Sequence, residues 1–313
     1  MTGYSPENVA AVVVTFNPGD RLRKLMSKLC SQVGAVLLVD NASEPDALAR
    51  IEAAIAATSD EVETTLILNP RNRGLAAAQN QGIAAAVDAG FDWVLLMDHD
   101  SVPEADMVET LLAVARDDPK PESLGFLAPM QVDESTKTAA AVYTRGLFGM
   151  LGRRTLKPEE VERDAAFVMA SGCLVSAARL REIGPMAEDF FIDYIDYDFA
   201  FRVRGAGYRI VIVGSASLSH RLGEVRETNF LGRKWKYREH KTKRRYTIYR
   251  NRTRVRLGAG VAFREFKCFE LLSIAKDLLQ LRFLEPKENR AATCRAIRAG
   301  IRAGKRGRGG IRN

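Results

Sequence analysis

Asp98-His99-Asp100 follows the apolar run Trp93 to Met97, which puts two carboxylates, two residues apart, on a loop at the end of a strand. Carboxylates so placed can hold a divalent cation against a diphosphate, because Mg²⁺ takes one or two carboxylates together with phosphate oxygens. A second acidic tip, Asp40-Asn41-Ala42-Ser43, closes the run Ala35 to Asp40, and a first strand, Ala10 to Thr15, runs into Phe16-Asn17-Pro18. Ligands of open α/β sheets bind beyond the carboxyl ends of the strands, so these tips are expected to converge on one crevice. Another cluster, Phe190-Phe191-Ile192-Asp193-Tyr194-Ile195-Asp196-Tyr197-Asp198, sets three carboxylates within six residues among aromatics and leads into a helix. Charge gathered beside apolar rings needs a partner or a use. The bland alternative is a solvated first helical turn, where Asp is favoured.

The elements that must position these groups are legible in the hydrophobic rhythm. Over the first 130 residues, short β-branched runs alternate with Ala- and Leu-rich helical stretches, which predicts βαβ units and a mostly parallel sheet. The strands are expected at Ala10 to Thr15, Ala35 to Asp40, Glu63 to Leu68 and Trp93 to Met97, with helices at Asp20 to Val33, Pro45 to Ala57 and Gly74 to Ala89. Further strands follow at Gly125 to Gln131 and Arg209 to Val213, and helices near Ala177 to Ile183 and Tyr197 to Gly205. Phe263 to Phe283 reads as an amphipathic helix: Cys268, Leu271, Leu272, Ala275, Leu278 and Leu279 share one side, and Lys267, Glu270, Ser273, Asp277 and Gln280 the other. The last 20 residues are rich in Arg and Gly and offer little to pack.

The 313 residues are 46% hydrophobic and 27% charged, which excludes a disordered chain. Their net charge of +8 hides a division: residues 1–230 carry 22 basic and 33 acidic residues, and residues 231–313 carry 25 basic and 6 acidic. An acidic body of net −11 and a basic, mainly helical C-terminal extension of net +19 are therefore expected as two domains, 1–230 and 231–313. No run is long enough to span a bilayer, and the apolar run Val9 to Val14 lacks the length and basic flank of a signal peptide, so a cytoplasmic protein is expected. Cys30, Cys173, Cys268 and Cys294 lie far apart, so free and mostly buried thiols are expected rather than a zinc module or disulfides.

Four motifs taken together carry a resemblance. Val12-Val13-Val14-Thr15-Phe16-Asn17, Val39-Asp40-Asn41-Ala42-Ser43, Asn72-Arg73-Gly74-Leu75 through Asn80-Gln81-Gly82, and Asp98-His99-Asp100-Ser101 resemble, in order and spacing, the signature of family 2 glycosyltransferases. The resemblance implies a GT-A fold, with a nucleotide-sugar across the strand tips and an inverting transfer. On it, the donor site comprises Thr15, Phe16, Asn17, Asp40, Asn72, Gly74, Asn80, Asp98 and His99. Thr15 and Phe16 would line the nucleobase pocket, with Phe16 where many members have Tyr. Asp40 would accept a hydrogen bond from a pyrimidine imide N–H; read alone, it is also a candidate helix cap. Asp98, Asp100 and His220 would hold Mg²⁺ or Mn²⁺, and Asp196 would be the general base. Ser171 and Gly172 would form an acceptor-side wall, and Asp193 and Asp198 would position the acceptor or its loop. Most of the family has Glu where Ile195 stands; Ile195-Asp196 and the Asp98 motif are instead similar to the rhamnosyltransferase branch, as is Tyr246-Thr247-Ile248-Tyr249-Arg250-Asn251.

The resemblance therefore implies a donor of the dTDP-rhamnose or UDP-sugar class, UDP-galactofuranose, UDP-glucose and UDP-galactose being alternatives, and a glycan or polyprenyl-linked acceptor. The basic extension, with Trp235, Tyr237, Tyr246 and Tyr249 among its cations, suits an anionic membrane surface and peripheral attachment at the inner face of the plasma membrane. A contact in a homo-oligomer is the alternative. Nucleic-acid binding through the Arg-rich end is disfavoured, because the acidic body would repel a polyanion. A sugar-nucleotide pyrophosphorylase is disfavoured too, since Thr15 to Asp20 supplies no Gly-rich phosphate loop.

Overall fold

The computed structural model describes residues 3–146, 150–220, 225–230, 233–238, 240–258, 264–285 and 290–307. The chain divides into two compact units, the first made of Met1–Thr144, Arg153–Phe191 and Ile195–Arg221, the second of Arg145–Gly152, Ile192–Tyr194 and Leu222–Asn313.

In the first unit, β1 (Val9–Thr15), β2 (Ala35–Asp40), β3 (Glu63–Leu68) and β4 (Trp93–Asp98) form a parallel set in the order β3-β2-β1-β4. Every residue of β1 and β2 is buried, as the continuous Val, Leu and Ala runs require of strands covered on both faces. The edge strand β3 is only partly covered. Along the chain follow β5 (Ser101–Pro103), β6 (Leu124–Asp133), β7 (Val142–Arg145), β8 (Leu151–Arg154), β9 (Val161–Glu162), β10 (Cys173–Ser176) and β11 (Arg209–His220), of which β7 and β8 form a separate two-stranded sheet. The short β10 lies antiparallel between β4 and β6, and β6 runs parallel to β11, so the sheet is mixed but mostly parallel.

β11 runs past the expected end at Val213. A register shift against β6 between Val213 and Ser217 lets it continue to His220, which pairs with Ser101 of β5. Such irregularities re-aim a strand. Helices α1 (Arg21–Leu29), α2 (Pro45–Ala56), α3 (Leu75–Asp88) and α4 (Met107–Arg116) follow the first strands, and α5 (Ala177–Ile183) and α6 (Ile195–Gly205) flank the later ones. One hydrophobic cluster joins Leu22, Leu25, Met26 and Leu29 of α1 and Leu111 and Leu112 of α4 to sheet residues such as Val13, Leu38 and Leu95.

The second unit holds a hairpin of β12 (Val225–Phe230) and β13 (Arg233–Arg238), then α7 (Thr242–Gly258), α8 (Arg264–Phe283) and α9 (Arg290–Arg306). The three helices bear out the expected helical extension, the hairpin had no counterpart in the sequence reading, and α9 overturns the expectation that the Arg- and Gly-rich end packs little. Its Thr293, Ile297, Gly300 and Gly304 are buried. A Cβ on Gly300 would lie 2.4 Å from the Tyr246 carbonyl oxygen and one on Gly304 2.5 Å from that of Arg250. Glycines four residues apart let α9 touch the backbone of α7, a packing use where little packing was expected. The cysteines are free, yet Cys268 is exposed and Cys294 half-buried, so only Cys30 and Cys173 fit the expectation of burial. Residues 308–313 of the expected loose end lie outside the described residues.

Candidate active site

Asp98 closes β4, and the next two residues turn the chain into β5. The extended β11 brings His220 to the same place, so that ligand atoms of Asp98, Asp100 and His220 all lie within 4.8 Å of one another. A chain of hydroxyls supports the cluster from below. The Asp98 N–H donates to Ser171 Oγ at 3.1 Å, Ser171 Oγ donates to Ser101 Oγ at 3.0 Å, and Ser101 Oγ meets His220 Nδ1 at 2.8 Å. From the side, Arg21 donates to the Asp100 carbonyl and pairs with Glu134, whose N–H donates to the His220 carbonyl at 3.1 Å.

Burial, and then the negative charge of Asp100, push the Asp98 carboxyl above the ordinary range against the opposing pull of His220, His99 and Ser171. Two carboxylates and an imidazole at this spacing suit Mg²⁺ or Mn²⁺. A cation there would relieve the desolvation and repulsion that Asp98 bears. His99 hydrogen-bonds through Nδ1 to the Val14 carbonyl at 3.2 Å, which ties the loop to β1.

The tips of β1 and β2 meet beside this cluster. Asp40 is 2% exposed and accepts from Thr15 Oγ1 (2.9 Å), Ser43 Oγ (2.5 Å) and the Ser43 N–H (2.8 Å). These occupy three of a carboxylate's roughly four acceptor sites. The α2 cap position is Glu44, so Asp40 fastens the β2 turn rather than capping the helix itself. Phe16 stands 45% exposed at the tip of β1. Asn17, at φ 48°, donates its N–H to Ser43 Oγ and accepts from the Glu44 N–H, both at 2.8 Å.

Gly74 lies at φ +88°, and a Cβ there would meet the ring, carbonyl oxygen and Cα of Phe191 at 2.7–2.9 Å. Only glycine fits. Asn72 Oδ1 accepts from the Gly74 N–H at 2.9 Å, and Asn41 brackets the turn, donating to the Gly74 carbonyl (3.0 Å) and accepting from the Arg73 N–H (2.9 Å). Asn80 fastens the far wall, exchanging hydrogen bonds with both backbone groups of Met186 and donating to Glu188. Between them a cleft of about 540 Å³ is lined by Arg71, Asn72, Arg73, Ala77, Glu188 and Asp189.

Asp196 lies in the first turn of α6. The buried Cys173 thiol is held well above its ordinary value by desolvation first and then by the charges of Asp196 and Asp98, so both carboxylates act on one point of β10. Asp198 pairs with Arg202 at 3.0 Å, and Arg202 donates to the Ile183 and Pro185 carbonyls; burial outweighs that pairing and raises the Asp198 carboxyl. Ser171 and Gly172, expected on the acceptor side, form the turn that leads into β10. Ser171 is buried under the acidic loop, and a Cβ on Gly172 would meet Pro129 at 2.7 Å and Leu218 at 2.9 Å, so this turn is a packed support.

Within the second unit, Asp193 and Tyr194 have φ of 65° and 68°, a conformation that costs a non-glycine residue about 1–3 kcal/mol unless its surroundings fix it. Buried Asn251 of α7 donates from Nδ2 to the Ile192 carbonyl at 2.8 Å and the Asp193 carbonyl at 2.9 Å. Arg244 grips the Asp193 carboxylate with two bonds, at 2.9 and 3.2 Å, and the Tyr194 hydroxyl donates to Glu270 of α8 at 3.0 Å. Asn251 closes the Tyr246 to Asn251 segment singled out in the sequence, whereas Arg244 carried no signal beyond its charge.

Comparison with known proteins bears on this geometry. The profile of Glycosyl transferase family 2 matches residues 10–160, which span every strand tip described except His220. The dTDP-rhamnosyl transferase RfbF of Shigella flexneri is 26% identical over 221 residues, 69% of this chain and 70% of that protein. The N-acetylglucosaminyl-diphospho-decaprenol L-rhamnosyltransferase of Mycobacterium tuberculosis is 27% identical over 234 residues, 67% of this chain and 74% of that protein. Among solved structures, the mannosyltransferase PcManGT of Pyrobaculum calidifontis, in complex with GDP-Man and Mn²⁺, superposes with a TM-score of 0.57 over 98% of this chain and 89% of its own, at 14% identity. That likeness is one of fold.

Proposed function

Residues 10–160 match the profile of Glycosyl transferase family 2, and from that premise we propose that this chain moves rhamnose from dTDP-rhamnose to a hydroxyl of a polyprenyl-linked or polysaccharide acceptor, inverting the anomeric carbon. The observation that carries the reading is the convergence of Asp98, Asp100 and His220 within 4.8 Å beside the tips of β1 and β2. The sugar and the lipid-linked acceptor are drawn from the names of the two rhamnosyl-transferring relatives.

In this proposal the exposed Phe16 ring stacks on the nucleobase, and the remaining acceptor site of Asp40 takes the imide N–H of a pyrimidine. Thr15 and Asn17 hold the turns around it, and Asn72, Gly74 and Asn80 shape the side wall. Asp98, Asp100 and His220 would hold Mg²⁺ or Mn²⁺, which supplies charge neutralisation for the departing diphosphate. His99 keeps the loop against β1. Asp196 takes the proton of the acceptor hydroxyl as its oxygen bonds to the anomeric carbon. The bond from that carbon to the diphosphate breaks, and the nucleotide diphosphate leaves with the electron pair. Asp193 and Asp198 position the loop and helix that carry Asp196.

The experiment is a panel of nucleotide-sugars incubated with the protein, Mn²⁺ or Mg²⁺, and bacterial membranes or a synthetic prenyl-diphosphate glycan, reading released nucleotide diphosphate. Release from dTDP-rhamnose that Asp196→Asn and Asp100→Asn abolish is the expected result. Turnover of a purine donor in preference, or turnover intact in both variants, would sink the reading.

A further inference from the structure

Helix α8 turns its polar side inward. Glu270 is 1% exposed and meets Arg252 Nε at 2.8 Å; Asp277 meets Arg245 Nη1 at 2.7 Å and accepts from the Tyr249 hydroxyl at 2.7 Å. Arg252 also donates to Ser273 Oγ at 3.1 Å, and Glu285, just past the helix, pairs with buried Arg245. The polar residues that an amphipathic helix ordinarily gives to water are thus taken up by the arginines of α7.

The apolar side is left outward. Leu271, Leu272, Leu278, Leu279 and Phe283 are 44–70% exposed, and Ala275 and Cys268 between them are exposed as well. At 3.6 residues per turn these positions form one continuous stripe along the helix. Exposed apolar side chains scattered singly mean little, whereas a contiguous stripe marks a contact surface.

The charge around the stripe selects what it contacts. Lys276 and Arg282 are exposed on α8 itself, and α9 exposes Arg295, Arg298, Arg302, Lys305 and Arg306 and contains no acidic residue. Of the acidic residues among the described residues of α8 and the two that follow it, Glu270, Asp277 and Glu285 face arginines inside the unit, which leaves Glu265. A second copy of this chain would bring the same uncompensated positive charge against itself. A bilayer bearing phosphate headgroups over an apolar interior matches both features. No helix among the described residues is long and apolar enough to cross a membrane, so the helix would lie in the interface rather than span it.

We propose that the α8 stripe of Leu271, Leu272, Leu278, Leu279 and Phe283 embeds in the surface of an anionic phospholipid bilayer, with the cations of α8 and α9 on the headgroups. This assigns the lipid contact to the apolar face of α8, where charge alone pointed only to the basic end. It stands on the helix and is independent of which sugar the chain transfers.

The test uses the full chain and vesicles of phosphatidylcholine alone or mixed equally with phosphatidylglycerol. Co-sedimentation with the mixed vesicles is expected, with partitioning lowered roughly tenfold or more by Leu272→Glu and again by Leu279→Glu, since each removes one embedded side chain. Both positions are solvent-facing, so folding should be retained and is checked by circular dichroism. Leu272→Trp should shift its emission to the blue on vesicles and be quenched by brominated lipid. Two results overturn the proposal: vesicle binding unchanged in both Glu variants and released entirely by salt, or a dimer by light scattering that Leu272→Glu dissociates.

Discussion

Asp98 is the residue on which the proposed chemistry turns, and its environment predicts a pH dependence. Its carboxyl is raised by burial and by Asp100, so the folded protein takes up that proton more readily than the unfolded chain does. Without a cation, Asp98 therefore contributes stability as pH falls through the raised value, and withdraws it as pH rises. Cation binding has the opposite sign, because protonation removes a ligand. The stabilisation by Mn²⁺ in thermal melts is expected to be large near neutrality and to shrink below it, and Asp98→Asn should abolish it at every pH. For Asp196, replacement by Asn should lower turnover by about 10²–10⁴-fold while leaving nucleotide affinity near its original value, read by calorimetry with the nucleotide diphosphate. The acids were legible in the sequence because strand ends and paired carboxylates are local patterns. Ser101, Ser171, Arg21 and Asn41 were not assigned their supporting roles, since those depend on hydrogen bonds between loops 33 to 113 residues apart.

At the scale of elements, the same difference between local and distant information recurs. The βα alternation predicted β1 to β4 and α1 to α3 closely, because each strand and helix is written in its own periodicity. β11 exceeded its predicted length, since its continuation to His220 depends on pairing with β5 and β6. The basic extension was the least legible. Its glycines read as loose chain, but Gly300 and Gly304 are contact positions, and the arginines of α7 became interior groups only because α8 supplied acids. Gly300→Leu should therefore destabilise the α7 and α9 pair by about 1–3 kcal/mol, visible as faster hydrogen exchange in α9. The Asn251 clamp makes a functional prediction. Asn251→Ala frees the Ile192 and Asp193 carbonyls and relaxes a strained segment directly before Ile195 and Asp196. Turnover should fall by at least about tenfold with little change in the donor KM, whereas a melt alone would report only lost stability.

For the molecule as a whole, the net charge of +8 is the sum of an acidic unit that carries the candidate site and a basic helical one, and it describes neither. In the acidic unit the buried carboxylates Asp40, Asp118 and Asp133 are tied to hydrogen-bond partners. Buried Asp118 shows the principle: desolvation raises its carboxyl, but the bonds from Arg209 and the Lys120 N–H and the charges of Arg209 and Arg163 outweigh it, and the net shift is downward. Its contribution to stability is complete above the ordinary carboxylate range and is lost as pH falls through the lowered value. Asp118→Asn should cost about 1–3 kcal/mol in urea unfolding at neutral pH, and the two proteins should converge in acid. The central claim, that the strand-tip carboxylates and His220 form the donor and cation site of a rhamnosyl transfer, is tested most directly by nucleotide diphosphate release from dTDP-rhamnose in the presence of a prenyl-diphosphate acceptor and Mn²⁺. Release that requires the cation and disappears in Asp100→Asn and Asp196→Asn is predicted. Release that persists in chelator and in both variants would contradict the account.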